Sequence, residues 1–344
     1  MSVMLKRTLC GSAVIALLAT AGAASAADNR DLTGVWTNQS LTNLERPQGV
    51  TQLEVSAAEA KKMADSHVTF GFTAAQKASD RTDADINAPP PAGDKDFGVK
   101  GYDPAAWASP GDGLATVNGK YRSSHIIEPA DGQLPYIDVA KAKAKAKARQ
   151  EAYNTGKGPY DGPEQAVMSE RCLLGFGGTG GPGMLHGAYN NNYQFVLTKD
   201  SLGIDVEMAH DVRVIPIFAS EQKAKASHSP AIIKRWLGDS VAWWQGNTLV
   251  VESTHVNPLE GASGPFALSD QGKVTEYLTR TGPKTISYKF TVDDPVYYTK
   301  PWTAELEFHP SPGIYEYACH EGNYGLEGML AGARAKDAER AAAK

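Results

Sequence analysis

The C-terminal two-fifths of the chain alternates between apolar and polar residues in short runs separated by tight turns. Runs with strand character cover 193–198, 201–207, 212–218, 241–245, 248–254, 274–280, 285–292 and 302–309. Between them lie turn sequences such as Lys199-Asp200, Gln245-Gly246-Asn247 and Thr281-Gly282-Pro283-Lys284. In 285–292, Ile286, Tyr288, Phe290 and Val292 share one face, and Ser287, Lys289 and Thr291 the other. In 302–309, Trp302, Ala304, Leu306 and Phe308 oppose Thr303, Glu305, Glu307 and His309. One dry face and one wet face per strand predicts an antiparallel meander. About eight such strands close into a lipocalin-like (calycin-type) β-barrel able to hold one small ligand. A two-sheet sandwich is the alternative.

The first half reads differently. A short strand at 31–37 carries Gly34-Val35-Trp36, and Ser56 to Asp65 has helical composition. The stretch 87–112 is rich in Pro, Gly and Asp and reads as irregular chain. A strand-like Ser124-His125-Ile126-Ile127 precedes the turn 129–132, and a helix is expected over 137–155. The lysine–alanine run 141–149 within it reads as a solvated helical face. The organisation expected is therefore a loop-rich, partly helical wrapping segment over 27–165, a barrel over 166–335 and a helical or disordered tail over 336–344.

Residues 1–26 have the form of a cleavable signal peptide: Lys6 and Arg7, an apolar run over 9–21, and Ala24-Ser25-Ala26 before the cut. The run is shorter than the roughly 20 residues a spanning helix needs. An exported protein is expected, periplasmic in a Gram-negative cell and otherwise secreted. Cleavage would move the formal charge from -5 to -7, a mildly acidic balance that offers no footprint for nucleic acid. No later segment reads as an integral membrane span. Of three cysteines, Cys10 leaves with the signal, and Cys172 with Cys319 is expected to form a disulfide, two buried thiols being the alternative. The oligomeric state is not legible.

The chemistry-bearing residues fall in two groups. The disulfide would set Glu170-Arg171-Cys172 against the run from Cys319 through His320, Glu321 and Asn323 to Tyr324. There His320 would act as acid or base, Glu321 as its orienter and Arg171 as an anion clamp; a structural ion network is the alternative. In 204–214, alternation places Asp205, Glu207, Asp211 and Arg213 on one face and His210 with Val212 and Val214 on the other, inward one. A bulge near Ala209 would instead move His210 to the polar face beside Asp211 and Arg213. Asn191, Tyr193, Trp244, Asn323 and Tyr324 are candidate substrate contacts, against a simpler role in turns and core.

The glycine-rich loop 175–183 matches G-x-G-x-x-G, but no βαβ unit surrounds it, so dinucleotide binding is not expected. It reads as a flexible connection or a mobile loop over a pocket mouth. The eight histidines show no metal-ligand spacing, and neither a metal nor another cofactor is expected; no G-x-S-x-G elbow is present, so the usual serine hydrolase reading lacks support.

The segments Glu170-Arg171-Cys172-Leu173, 189–194, 210–216, 236–240, 244–252, 291–295, 299–303 and 315–324 resemble a large family of exported bacterial proteins of unknown function. That resemblance spans most of 120–335 and implies one exported unit, with no reaction or substrate attached. The Gly34-Val35-Trp36 opening followed by many short strands is more loosely similar to lipocalin-like barrels. The leading functional expectation is a cofactor-independent lyase or hydrolase acting on a small, partly aromatic molecule in the barrel interior. His210 and His320 would do acid–base work, and Arg171 or Arg213 would stabilise negative charge. A non-catalytic lipocalin-like carrier and a structural envelope protein are the alternatives.

Overall fold

The computed structural model describes residues 29–67, 109, 111–142, 144, 162–261, 264–321 and 323–343. The expected signal peptide, nearly all of the irregular stretch 87–112 and most of the helix expected over 137–155 lie outside these residues.

Thirteen strands follow in chain order: β1 (Gly34–Thr37), β2 (Glu54–Val55), β3 (Thr116–Val117), β4 (Lys120–Arg122), β5 (Ile126–Glu128), β6 (Asn192–Leu197), β7 (Ser201–Val206), β8 (Asp211–Phe218), β9 (Asp239–Gln245), β10 (Thr248–Thr254), β11 (Lys273–Gly282), β12 (Thr285–Asp293) and β13 (Trp302–Pro310). Nine of them, β1 and β6 to β13, form a closed barrel in sequence order. β1 closes it by pairing with β6 on one side and β13 on the other, Trp36 facing Tyr193 and Pro310. The small strands β2, β4 and β3 form a separate sheet, and β5 adds to β13.

The expected mainly-β barrel with a loop-rich N-terminal part is present. Two features depart from the sequence reading. The barrel uses a ninth strand, taken from the N-terminal segment, so residue 165 is no boundary in the sheet. It is also mixed: β8 and β9 run parallel, paired only at Ile217↔Ala242 and Phe218↔Trp243. The connection between them, 219–238, carries a short helix Glu221–Lys225 that packs Ala224 on the outside of the sheet against Val241, Trp243 and Val250. With the outer face covered there and Ala242, Leu249 and Val251 inside, β9 and β10 are apolar on both faces.

Elsewhere alternation held as expected. Ile286, Tyr288, Phe290 and Val292 point inward, as do Trp302, Ala304, Leu306 and Phe308. The interior is solid. Tyr193, Phe195, Tyr288, Phe290, Trp302 and Phe308 are fully buried and meet edge-to-face or tilted, with the Tyr193 and Phe308 ring centres 5.1 Å apart. These aromatic pairs supply both buried area and directional ring contacts. The sequence expectation of a ligand-sized interior is therefore corrected: large side chains occupy that space.

The glycine-rich loop helps to fill it. Residues 179–185 are buried, not a mobile lid, and their backbone bonds to the core. The Tyr193 hydroxyl donates to Thr179 O at 3.0 Å, and the Met184 N–H donates to the Tyr288 oxygen at 2.8 Å. Gly181 has φ +76°, and a Cβ there would stand 2.8 Å from Arg213 Nη1, so the plug needs glycine on both counts. The helix Ala57–Asp65 is present, started by a capping box in which Ser56 and Glu59 satisfy each other's backbone N–H. The tail is helical over Tyr324–Ala342 and buries no residue. No helix among the described residues is long and apolar enough to cross a membrane.

Candidate functional site

Cys172 and Cys319 are bonded, with Cα atoms 5.7 Å apart. The bond brings the expected segments together: Asn323 Nδ2 donates to Glu170 O at 2.9 Å and lies 3.3 Å from Cys172 Sγ. The polar knot expected around it does not form. His320 and Glu321 are exposed, and no ion pair joins Arg171, His320 and Glu321 among the described residues. Tyr324 is 78 % exposed. A groove of about 610 Å³ runs along the disulfide, with Glu170, Phe176, Tyr317 and Met329 in its walls.

The 204–214 segment is resolved by its turn. Ala209 and His210 both adopt positive φ, 58° and 52°, and this shifts the alternation between β7 and β8. Ile204 and Val206 point inward before the turn; Asp211, Arg213 and Ile215 point inward after it. The expectation of an inward His210 flanked by inward Val212 and Val214 is thus corrected. His210 is exposed, while Val212 and Val214 stand outside the barrel at 55 % and 72 % exposure. The cause is the hairpin turn 207–210, which sets Val206 opposite Asp211 with no bulge in the ladder; the bulge alternative near Ala209 is corrected too, since Asp211 and Arg213 point inward instead of joining His210 on the polar face. His210 Nε2 accepts the Tyr317 N–H at 3.0 Å, which leaves Nδ1 to carry the proton in the neutral ring.

Arg213 enters the core, where both terminal nitrogens are engaged and the buried Nε–H has no partner. Its guanidinium meets both carboxylate oxygens of Glu276 and donates to Ser253 Oγ at 3.1 Å and Ser240 Oγ at 3.3 Å. The Tyr288 hydroxyl donates to Glu276 Oε1 at 2.6 Å, and the Gly183 N–H donates to the same oxygen at 3.3 Å. Arg213 holds the Glu276 carboxyl below its ordinary range against the effect of burial. With both terminal nitrogens of Arg213 committed to Glu276 and two serines inside the barrel, the pair is a structural group, and the expectation that Arg213 stabilises charge on a substrate is corrected accordingly.

Three further candidates are structural too. Tyr193 is fully buried, and burial raises its phenol above the ordinary value. Asn191 is buried and closes the loop before β6, accepting the Gly187 N–H at 2.7 Å and donating to Gly187 O at 3.0 Å. Trp244 is half-buried on the barrel, with Arg30 5.2 Å over its ring.

What remains is a cleft. Because only the last two residues of β8 pair with β9, the strands part company between Asp211 and Ser240. A cavity of about 400 Å³ opens there, walled by Leu174, His210, Asp211, Arg235, Trp236 and Ser240, with Arg213 behind. Asp211 is 8 % exposed; Oδ2 accepts the Gly175 N–H at 2.8 Å, and burial raises its carboxyl to about 6. Arg235 is half-exposed at the rim, bonded to Asp239 at 3.1 Å and Ser229 Oγ at 3.1 Å. Strain gathers at this cleft. Of the six non-glycine residues with positive φ among the described residues, two are turn asparagines; the other four are Ala209 and His210 in its wall, Cys172 next to Leu173, and His255, whose carbonyl accepts the Arg235 N–H. Non-glycine left-handed residues concentrate at functional sites because the surrounding structure must hold them.

Sequence reasoning named Asp211 and His210 but missed Arg235, Glu276 and the histidines His67, His125 and His186. A signal for Glu276 existed: it occupies the apolar phase of β11 between Val274 and Leu278, and a carboxylate there demands a buried cation. His125 and His186 are 61 residues apart and follow no motif.

The fold and cleft define a closed, mixed nine-stranded barrel with a filled interior and a polar opening at its parallel seam. No family model matches this chain, and neither known proteins nor solved structures show a significant match to it.

Proposed function

We propose that this protein is an acid–base enzyme, a hydrolase or lyase, acting on a small, partly aromatic molecule held in the cleft between β8 and β9. The observation that carries the reading is Asp211. It is a carboxyl buried in a cleft wall, with its pKa raised by burial to about 6, where it can exchange a proton near neutrality. Its surroundings supply the other parts of such a site. Trp236 offers an aromatic wall, Arg235 a half-exposed cation for developing negative charge, and His210 a second titratable group at the rim. The 400 Å³ of space suits a small molecule. The disulfide supports an oxidising compartment, in keeping with export.

The test is turnover of a panel of small aromatic esters, amides and hydroxy acids, with products followed by mass spectrometry. Turnover by the wild type with a pH midpoint near 6 is expected, falling about 100-fold or more in D211N. Equal turnover by D211N, or no panel member binding at millimolar concentration by ligand-observed NMR, would end this reading. The solid barrel interior favours a second one, a structural envelope protein, which expects a macromolecular partner in cross-linking and no small-molecule binding.

A further inference from the structure

A separate polar cluster lies where the N-terminal segment crosses β13. His125 is stitched into place on both sides, its N–H donating to Asn43 O at 3.0 Å and its carbonyl accepting the Glu305 N–H at 2.9 Å. Its ring faces that of His186, which follows the glycine plug, and the two Nε2 atoms are 3.2 Å apart. His186 Nε2 is also 3.0 Å from the Thr42 carbonyl oxygen, and that carbonyl lies against both rings.

We infer that His125, His186 and the Thr42 carbonyl form a binding site for a divalent transition-metal ion such as Zn²⁺ or Cu²⁺. His125 Nδ1 is 3.3 Å from the Glu305 carbonyl oxygen, a contact that only an Nδ1–H can make. The neutral ring then presents the bare Nε2 lone pair to His186. An imidazole whose far nitrogen donates to a backbone carbonyl is the usual way a metal-ligating histidine is oriented. Two ring nitrogens at about 2.0–2.1 Å from one tetrahedral ion lie roughly 3.3 Å apart, close to the spacing here. Without a cation, two lone-pair atoms, His125 Nε2 and Thr42 O, compete for the one proton that a neutral His186 can place on its Nε2. A cation satisfies all three at once.

A cavity of about 270 Å³, with Ser40, Asn43 and His67 in its wall, leaves an open side for water or an exogenous ligand. Among the described residues no three His, Cys, Asp or Glu side chains gather as a metal-binding group; this set reaches three donors through a backbone oxygen. The site is distinct from the Asp211 cleft and stands whether or not that cleft is catalytic.

The experiment is titration of the full chain with Zn²⁺ in competition with a chromophoric chelator. One equivalent is expected to bind with a Kd of about 1 μM or tighter, weakened about 100-fold in H125Q and in H186Q and unchanged in H228Q. Because His125 is buried, the wild type is also followed by long-range ¹H–¹⁵N NMR. Zn²⁺ is expected to move the Nε2 signals of His125 and His186. Absence of an equivalent tighter than about 100 μM, full binding by H186Q, or shifts at other histidines instead would each overturn the site.

Discussion

Asp211 and Arg213 are two residues apart on one strand, face the same way, and meet opposite fates. Arg213 finds Glu276 and is neutralised inside the barrel. Asp211 has a single backbone donor, and burial works against its charge. The consequence for stability has a definite sign. Between about pH 4 and pH 6 the folded chain keeps a proton on Asp211 that the unfolded chain has released, so this group makes the fold less stable as pH rises through that window. At about 1.4 kcal/mol per pKa unit the effect is roughly 2–3 kcal/mol. D211N is therefore expected to gain on the wild type by that amount when urea midpoints at pH 4 and pH 7 are compared. A gap between the two proteins that does not change with pH would show that Asp211 titrates normally. Residue-level legibility was mixed for the same physical reason. Asp211 was visible as a polar residue near a histidine, but which way it pointed depended on the length of the turn 207–210, and a one-residue change there moves every later side chain to the other face.

At the scale of elements, the strands were largely legible because each carries a strict two-residue period and ends at a turn. β10 begins and ends at the expected residues, and β12 and β13 extend one residue further than expected. The parallel seam was not legible, since alternation says which face is buried and nothing about a neighbour's direction. The register of β8 yields a test. Ile217 N–H donates to Asp200 O, so Arg213 and Ile215 also direct their backbone groups to β7, while Val212 and Val214 direct theirs into the opening beside β9. In hydrogen exchange at neutral pH, the amides of Val212 and Val214 are expected to exchange at least about 100-fold faster than those of Arg213 and Ile215. Equal protection would mean that the seam is paired along its whole length. The histidine pair was illegible for another reason: its members sit on an N-terminal crossing and a glycine plug, and only the closed barrel brings them together.

For the whole molecule, the long-range links matter most. The disulfide spans a sequence separation of 147 residues and ties the segment before the plug to the segment after β13. In the chain-entropy model a loop of that length stabilises the fold by about 5 kcal/mol, less any strain. C172S/C319S is expected to lose roughly 3–5 kcal/mol in guanidinium unfolding, with reductant lowering the wild type to the same value. A loss under about 1 kcal/mol would mean that the linked segments already hold each other in the denatured chain. The barrel needs a second long link, the pairing of β1 with β13. Trp36 and Pro310 lie far apart along the chain, so this pairing forms only once the strands between them have assembled. Until then the open edges of β6 and β13 and the aromatic interior face solvent. A barrel closed by so long-range a pairing is expected to fold slowly, and the species most prone to sticking to its neighbours is the one with that closure still open.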